Sequence, residues 1–160
     1  MALRSGPGGL IGPGFLLLAA ACGTPGPRPL AFGTETCAHC HMTLADPRFA
    51  AELVMTTGRV IPFDDAGCLA SYLQSGVVAP ERVRSLWVGQ LVPLHRMLEA
   101  RDAVFLISEA IHTPMDYHVA ALTPGPEADS VRAALGGELV SWDRVLRSVR
   151  TGHGAGGVAP

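Results

Sequence analysis

Gly58-Arg59-Val60-Ile61-Pro62-Phe63-Asp64-Asp65 recurs in chemical outline as Gly137-Glu138-Leu139-Val140-Ser141-Trp142-Asp143-Arg144. Each copy reads glycine, charge, two apolar residues, a short residue, an aromatic and then aspartate. Glycine makes the turn, the apolar pair makes a short strand, and aspartate offers the N-cap of a helix. A strand–helix unit met twice predicts an α+β fold, built as two small related β-hairpin/helix units in one compact domain. Working outward, Phe49 to Thr57 reads as the strand before Gly58, with Arg59 to Phe63 as its hairpin partner. Asp64 or Asp65 then caps a helix over Ala66 to Leu73, which Gly76 stops. Further strands are expected at Val83–Val88, Ala103–Ser108, Tyr117–Thr123 and Glu138–Trp142. Helices are expected at Pro126–Leu135 and, capped by Asp143, up to Arg150. Met42 and Met115 each precede a strand, so they are expected at equivalent points of the two units. The units are placed at 37–90 and 91–150.

Chemistry concentrates in three clusters. Cys37-Ala38-His39-Cys40-His41-Met42 offers two thiols, two imidazoles and a thioether in six residues. Phe63-Asp64-Asp65-Ala66-Gly67-Cys68 adds a third thiol, and His112-Thr113-Pro114-Met115-Asp116-Tyr117-His118 repeats the His/Met chemistry without cysteine. Thiolate and thioether are soft ligands and imidazole is borderline, a set that suits Cu(I) or Zn(II) and not Mg or Ca. Cys68 is expected in the first turn of its helix, where the dipole favours thiolate. The plain alternative is an apolar cysteine on the face shared with Leu69 and Tyr72. On a strand Met115 and His118 would point to opposite faces, so joint ligation needs Met115 in the preceding loop, as Pro114 allows. His112 is a candidate extra ligand, while His95 reads as structural and Met55 and Met97 as core.

Three functions fit these residues. The first is a Cu(I) carrier that uses Cys37, Cys40, Met42, Cys68, Met115 and His118. The second is a structural zinc module, with Cys37, Cys40, Cys68 and one histidine filling a tetrahedral shell. That leaves Met42 and Met115 without a task. The third is a thiol–disulfide oxidoreductase built on Cys37/Cys40. Redox-active CxxC pairs open a helix after a strand, whereas this one precedes Thr43-Leu44-Ala45-Asp46-Pro47, a poor helix former.

The ends and the composition narrow the setting. Residues 1–21 have the layout of a secretory signal, with Arg4 ahead of an apolar run that ends in Ala19-Ala20-Ala21. Leu18-Ala19-Ala20-Ala21-Cys22 resembles a bacterial lipobox, which implies cleavage before Cys22 and lipidation of its thiol. Residues 22–36 read as a Pro/Gly tether, and 151–160 as a flexible Gly-rich tail. Without Arg4 the remaining chain carries a net charge of about −3. There is no basic patch, which argues against nucleic acid as a partner. With Cys22 assigned to lipid, three cysteines remain, which is not a disulfide framework but fits a metal or a free thiol.

Taken in order, these motifs resemble the NosL family of nitrous oxide reductase accessory lipoproteins. The match rests on Cys37-x-x-Cys40-x-Met42, Asp46-Pro47-Arg48-Phe49-Ala50-Ala51, Phe63-Asp64-Asp65-x-x-Cys68, Thr113-Pro114-Met115 and the ending Gly136 to Asp143. The resemblance implies a lipid-anchored Cu(I) chaperone facing the periplasm or cell exterior. Its implied partners are the reductase and its assembly machinery, including an ABC-type transporter complex. It also implies a fold similar to that of the organomercury lyase MerB, and no enzymatic activity. This chain departs from the family in three places. His41 and Asp116 stand where glycine is usual, and Gly89-Gln90 stands where an aspartate is usual.

Overall fold

The computed structural model describes residues 26–93 and 96–150. The expected signal segment, Cys22, His95 and the tail 151–160 lie outside the described residues.

The first sheet grows from the hairpin around Gly58, whose φ of 86° is the left-handed conformation that the turn requires. Strand β1 (Ala51–Met55) pairs antiparallel with β2 (Val60–Phe63), from Ala51 opposite Phe63 to Val54 opposite Val60. Every residue of β1 is buried. It is therefore a covered central strand, which explains its nearly continuous apolar run. Strand β3 (Val83–Gly89) takes its other edge, and β4 (Met97–Glu99) pairs with β3 to give the order β2-β1-β3-β4. Between β2 and β3 runs helix α1 (Ala66–Gln74). Its N-cap is Asp65, extended at φ −149°, with Oδ1 accepting the Cys68 N–H at 2.7 Å.

The second sheet has β5 (Val104–Ile107) at its centre, flanked by β6 (Val119–Leu122) and β7 (Glu138–Val140). Helix α2 (Pro126–Leu135) joins β6 to β7, and α3 (Trp142–Arg150) follows β7. Both sheets therefore place a central strand between two antiparallel neighbours, with the strand after a glycine turn feeding a helix. The chain order differs, because β2 follows its central strand directly whereas β6 and α2 intervene before β7. Met42 precedes the central strand of its sheet and Met115 precedes a flanking one. The two methionines are thus not at equivalent points, contrary to the sequence reading.

One core joins the units. Leu53, Phe63, Cys68 and Leu69 pack with Phe105, Val119, Ala121, Trp142 and Val145. The Trp142 ring lies 5.3 Å from that of Phe105. A smaller cluster of Phe49, Leu106, Ile111, Ala120, Leu122 and Ala128 includes residues of β5, β6 and α2.

Several boundaries differ from the sequence reading. Trp142 opens α3 instead of ending β7, so Asp143 lies in the helix's first turn. The strand at Tyr117–Thr123 begins only at Val119. Strand β4 has no signal in the sequence, since three residues are too few to show a period, and its Met97 is half-buried, not core. The described part of the expected tether is packed against the domain. Leu30 and Phe32 rest on the main core, the Arg28 N–H donates to Glu52 at 3.1 Å, and the Arg28 guanidinium pairs with Glu35. The proline content hid this, because extended backbone both links and packs.

Candidate metal centre

The CxxC segment is a tight knuckle. The Cys37 N–H donates to Met42 O at 2.8 Å and the His41 N–H to Cys37 O at 3.1 Å, while Thr36 bridges to Thr43. The turn closes through His41 at φ 63°. Ala38 N–H reaches Pro62 O at 3.0 Å, which docks the knuckle on β2. In this fold the backbone N–H groups of Cys40, Asp64 and His39 point at the Cys37 sulfur.

Helix α1 supplies the third thiol from the other side. Sγ of Cys37, Cys40 and Cys68 all lie within 4.8 Å of one another, and all three cysteines are free. Cys37 and Cys68 are fully buried, whereas Cys40 is half-buried. Among the described residues, no histidine or carboxylate belongs to this group.

The charge pattern inverts the sequence expectation for Cys68. The Cys68 thiol donates to Cys37, and this bond with the three backbone donors holds the Cys37 thiol well below its usual pKa despite burial. Cys68 is pushed up, first by giving that hydrogen bond, then by burial and by the neighbouring Asp65 charge. Cys40 is raised mainly by burial. The helix dipole does not decide the matter, since the Asp65 carboxylate already occupies the first-turn amide and sets negative charge beside Cys68. The three thiols titrate together, and a cation that binds them displaces their protons.

The loop from the second unit closes the site. Asp65 Oδ2 accepts the Met115 N–H at 3.2 Å, so one buried carboxylate touches both Cys68 and the Met115 loop. Tyr117 packs closely against Gly67, where a Cβ would sit 2.0 Å from its Cγ, and its hydroxyl meets Ser71 Oγ at 2.8 Å. Met115 is half-buried against the core that contains Cys37 and Cys68. Met115, Tyr117 and His118 all precede β6, so none is held to strand alternation.

The other sequence candidates lie at the knuckle and on the loop before β6. Met42 follows the knuckle with half its surface exposed. His118 stands in left-handed backbone, φ 58°, with Nδ1 2.7 Å from Ile111 O and Nε2 3.6 Å from Glu109. His112 is exposed, its ring 6.2 Å from that of His118.

The NosL family model matches residues 31–149. The chain belongs to the NosL family. The crystal structure of the copper chaperone NosL from Shewanella denitrificans is similar, with 22% identity over 72% of this chain and 93% of that one and a TM-score of 0.62. That likeness shows a shared fold. No curated protein matches the chain. The two positions at which the family resemblance implies glycine share a backbone feature. His41 and Asp116 have φ of 63° and 52°, the region glycine enters freely. Asp and His are among the residues best tolerated there, so these turns form with side chains on them. The role of Asp65 at both halves of the site escaped the sequence reading, although the Asp64-Asp65 pair flagged the helix cap. The contact of Tyr117 on Gly67 had no sequence signal beyond an unexplained glycine in the first turn of a helix.

Proposed function

We propose that this protein is a Cu(I) carrier, with the ion as cargo rather than resident cofactor, and not an enzyme. The observation that carries the reading is the three-sulfur group within 4.8 Å, two of its members buried, beside a loop that brings a methionine. Soft sulfur donors select Cu(I), which needs few ligands, while a structural zinc site fills four positions. The triad with Met115 gives an all-sulfur shell that excludes harder ions. The lowered pKa of Cys37 favours exchange of its proton for a cation, and the partly open Cys40 is the side from which a receiving protein's ligands enter. Family membership, and the likeness to a solved copper chaperone, support the same cargo.

The finer reading follows from the family resemblance. The carrier is anchored by lipid at Cys22 and faces the periplasm or cell exterior. It hands copper to the machinery that builds the copper sites of nitrous oxide reductase, including an ABC-type transporter complex. Deleting the gene in a cell that makes the reductase tests this directly. The expected result is reductase protein of normal abundance but low copper content, restored by the wild-type gene and not by Cys37→Ser. A fully copper-loaded reductase in the deletion strain contradicts it. Labelling with a radioactive fatty acid checks the anchor, with Cys22→Ala expected to abolish incorporation.

A further inference from the structure

We propose that Asp65 is a positioning residue that couples the two halves of the site, setting Cys68 and Met115 against the same ion through the two oxygens of one carboxylate. The inference rests on the Cu(I) reading above.

Asp65 stands at the junction of β2 and α1 and is fully buried. Its Oδ1 accepts the Cys68 N–H at 2.7 Å. Its Oδ2 accepts the Met115 N–H at 3.2 Å, across 50 residues of chain. The Thr113 hydroxyl donates to the same carboxylate. Thr113 Oγ1 in turn accepts the Tyr117 N–H at 3.0 Å, and Thr113 O accepts the Asp116 N–H at 3.0 Å. Residues 113–117 therefore form a compact loop hung from one side chain that belongs to the other unit. A helix cap needs only one acceptor oxygen. The second oxygen is spent on the loop, and it is this bond that fixes where the Met115 backbone sits relative to Cys68. Ligands that must meet at one ion have to be held by such outer contacts, whose loss typically weakens metal binding by about 10–100-fold.

Serine separates the two tasks. Its single oxygen caps a helix but is too short to reach Met115 as well. Cu(I) competition between the reduced full-length chain and a colorimetric chelator gives the affinity, circular dichroism reports α1, and Cu K-edge absorption counts sulfur ligands. Asp65→Ser is expected to keep the helix signal and lose Cu(I) affinity by about 10–100-fold. It should match Met115→Ala in affinity and in the loss of one sulfur, and the double variant should be no weaker than either single one. Thr113→Val, which leaves the cap untouched and removes the loop's hydroxyl, is expected to weaken binding in the same direction. Wild-type affinity in both Asp65→Ser and Thr113→Val overturns the proposal, as do losses that multiply in the double variant. Failure of the wild-type chain to bind Cu(I) at all would instead remove the carrier reading on which it rests.

Discussion

Replacing Gly67 with alanine tests how tightly the Met115 loop is seated on α1. The new Cβ would lie 2.0 Å from Tyr117 Cγ, 2.3 Å from Cδ2 and 2.6 Å from Cβ. Carbon atoms rest at about 3.5–4.0 Å, so the ring must withdraw by more than an ångström. Rotating the ring cannot relieve this, because the side chain's own root is among the atoms struck. Tyr117 has to move as a whole, and its hydrogen bond to Ser71 at 2.8 Å goes with it. Overpacking costs about 1–3 kcal/mol and the lost hydrogen bond about 1 kcal/mol. Alanine returns about 1 kcal/mol of helix propensity over glycine. The net expectation is a loss of about 1–3 kcal/mol, read as a lower urea midpoint at unchanged slope. In a Tyr117→Gly background Cβ, Cγ and Cδ2 are all absent and the clash is gone, so the same Gly67→Ala change should turn stabilising by up to about 1 kcal/mol. A Gly67→Ala protein as stable as wild type, or destabilised equally in both backgrounds, would refute the packing of this loop against α1.

Three other expectations follow from local features. Burial is the main cause of the raised pKa of Glu52, so its favourable contribution is complete below the unfolded value of 4.5 and is lost as pH rises through the folded value. Urea midpoints across that range should fall with pH in wild type and fall less in Glu52→Gln; parallel curves would contradict this. His41→Gly relieves a left-handed residue at φ 63° and should raise stability by about 0.5–1 kcal/mol, the strain removed exceeding the added backbone entropy. An unchanged or lower denaturation midpoint would count against it. Among the three thiols, iodoacetamide should label Cys40 first, since Cys37 and Cys68 are fully buried, and peptide mass spectrometry would show the order. Faster labelling of Cys37 would mean that its thiolate character outweighs its burial.

Much of the fold was legible because its signals are local. Gly58 and Gly136-Gly137 mark turns, Asp65 caps α1, and Pro126 opens α2, each by chemistry within a few residues. What was lost depends on contacts far apart in sequence. Nothing near Met97 says that it pairs with Gly89, and nothing near Leu30 says that it packs on the core. The site divides in the same way. The ligand types at Cys37, Cys40 and Cys68 could be read from composition and spacing. The direction in which each thiol's pKa moves could not, because it depends on the Asp64 amide and the Cys68 thiol converging on Cys37. The sequence also offers His118 on equal terms with Met115, but the 2.7 Å bond of its Nδ1 to the Ile111 carbonyl, which orients the ring, could not be read from it.

The most direct measurement is a competition between Cu(I) and Zn(II) for the fully reduced protein, followed by metal analysis of the recovered chain. The account predicts a single Cu(I) bound through sulfur, displacing Zn(II) and lost on Cys37→Ser. Stoichiometric Zn(II) that excess Cu(I) does not displace would contradict it and make the three cysteines a structural zinc site.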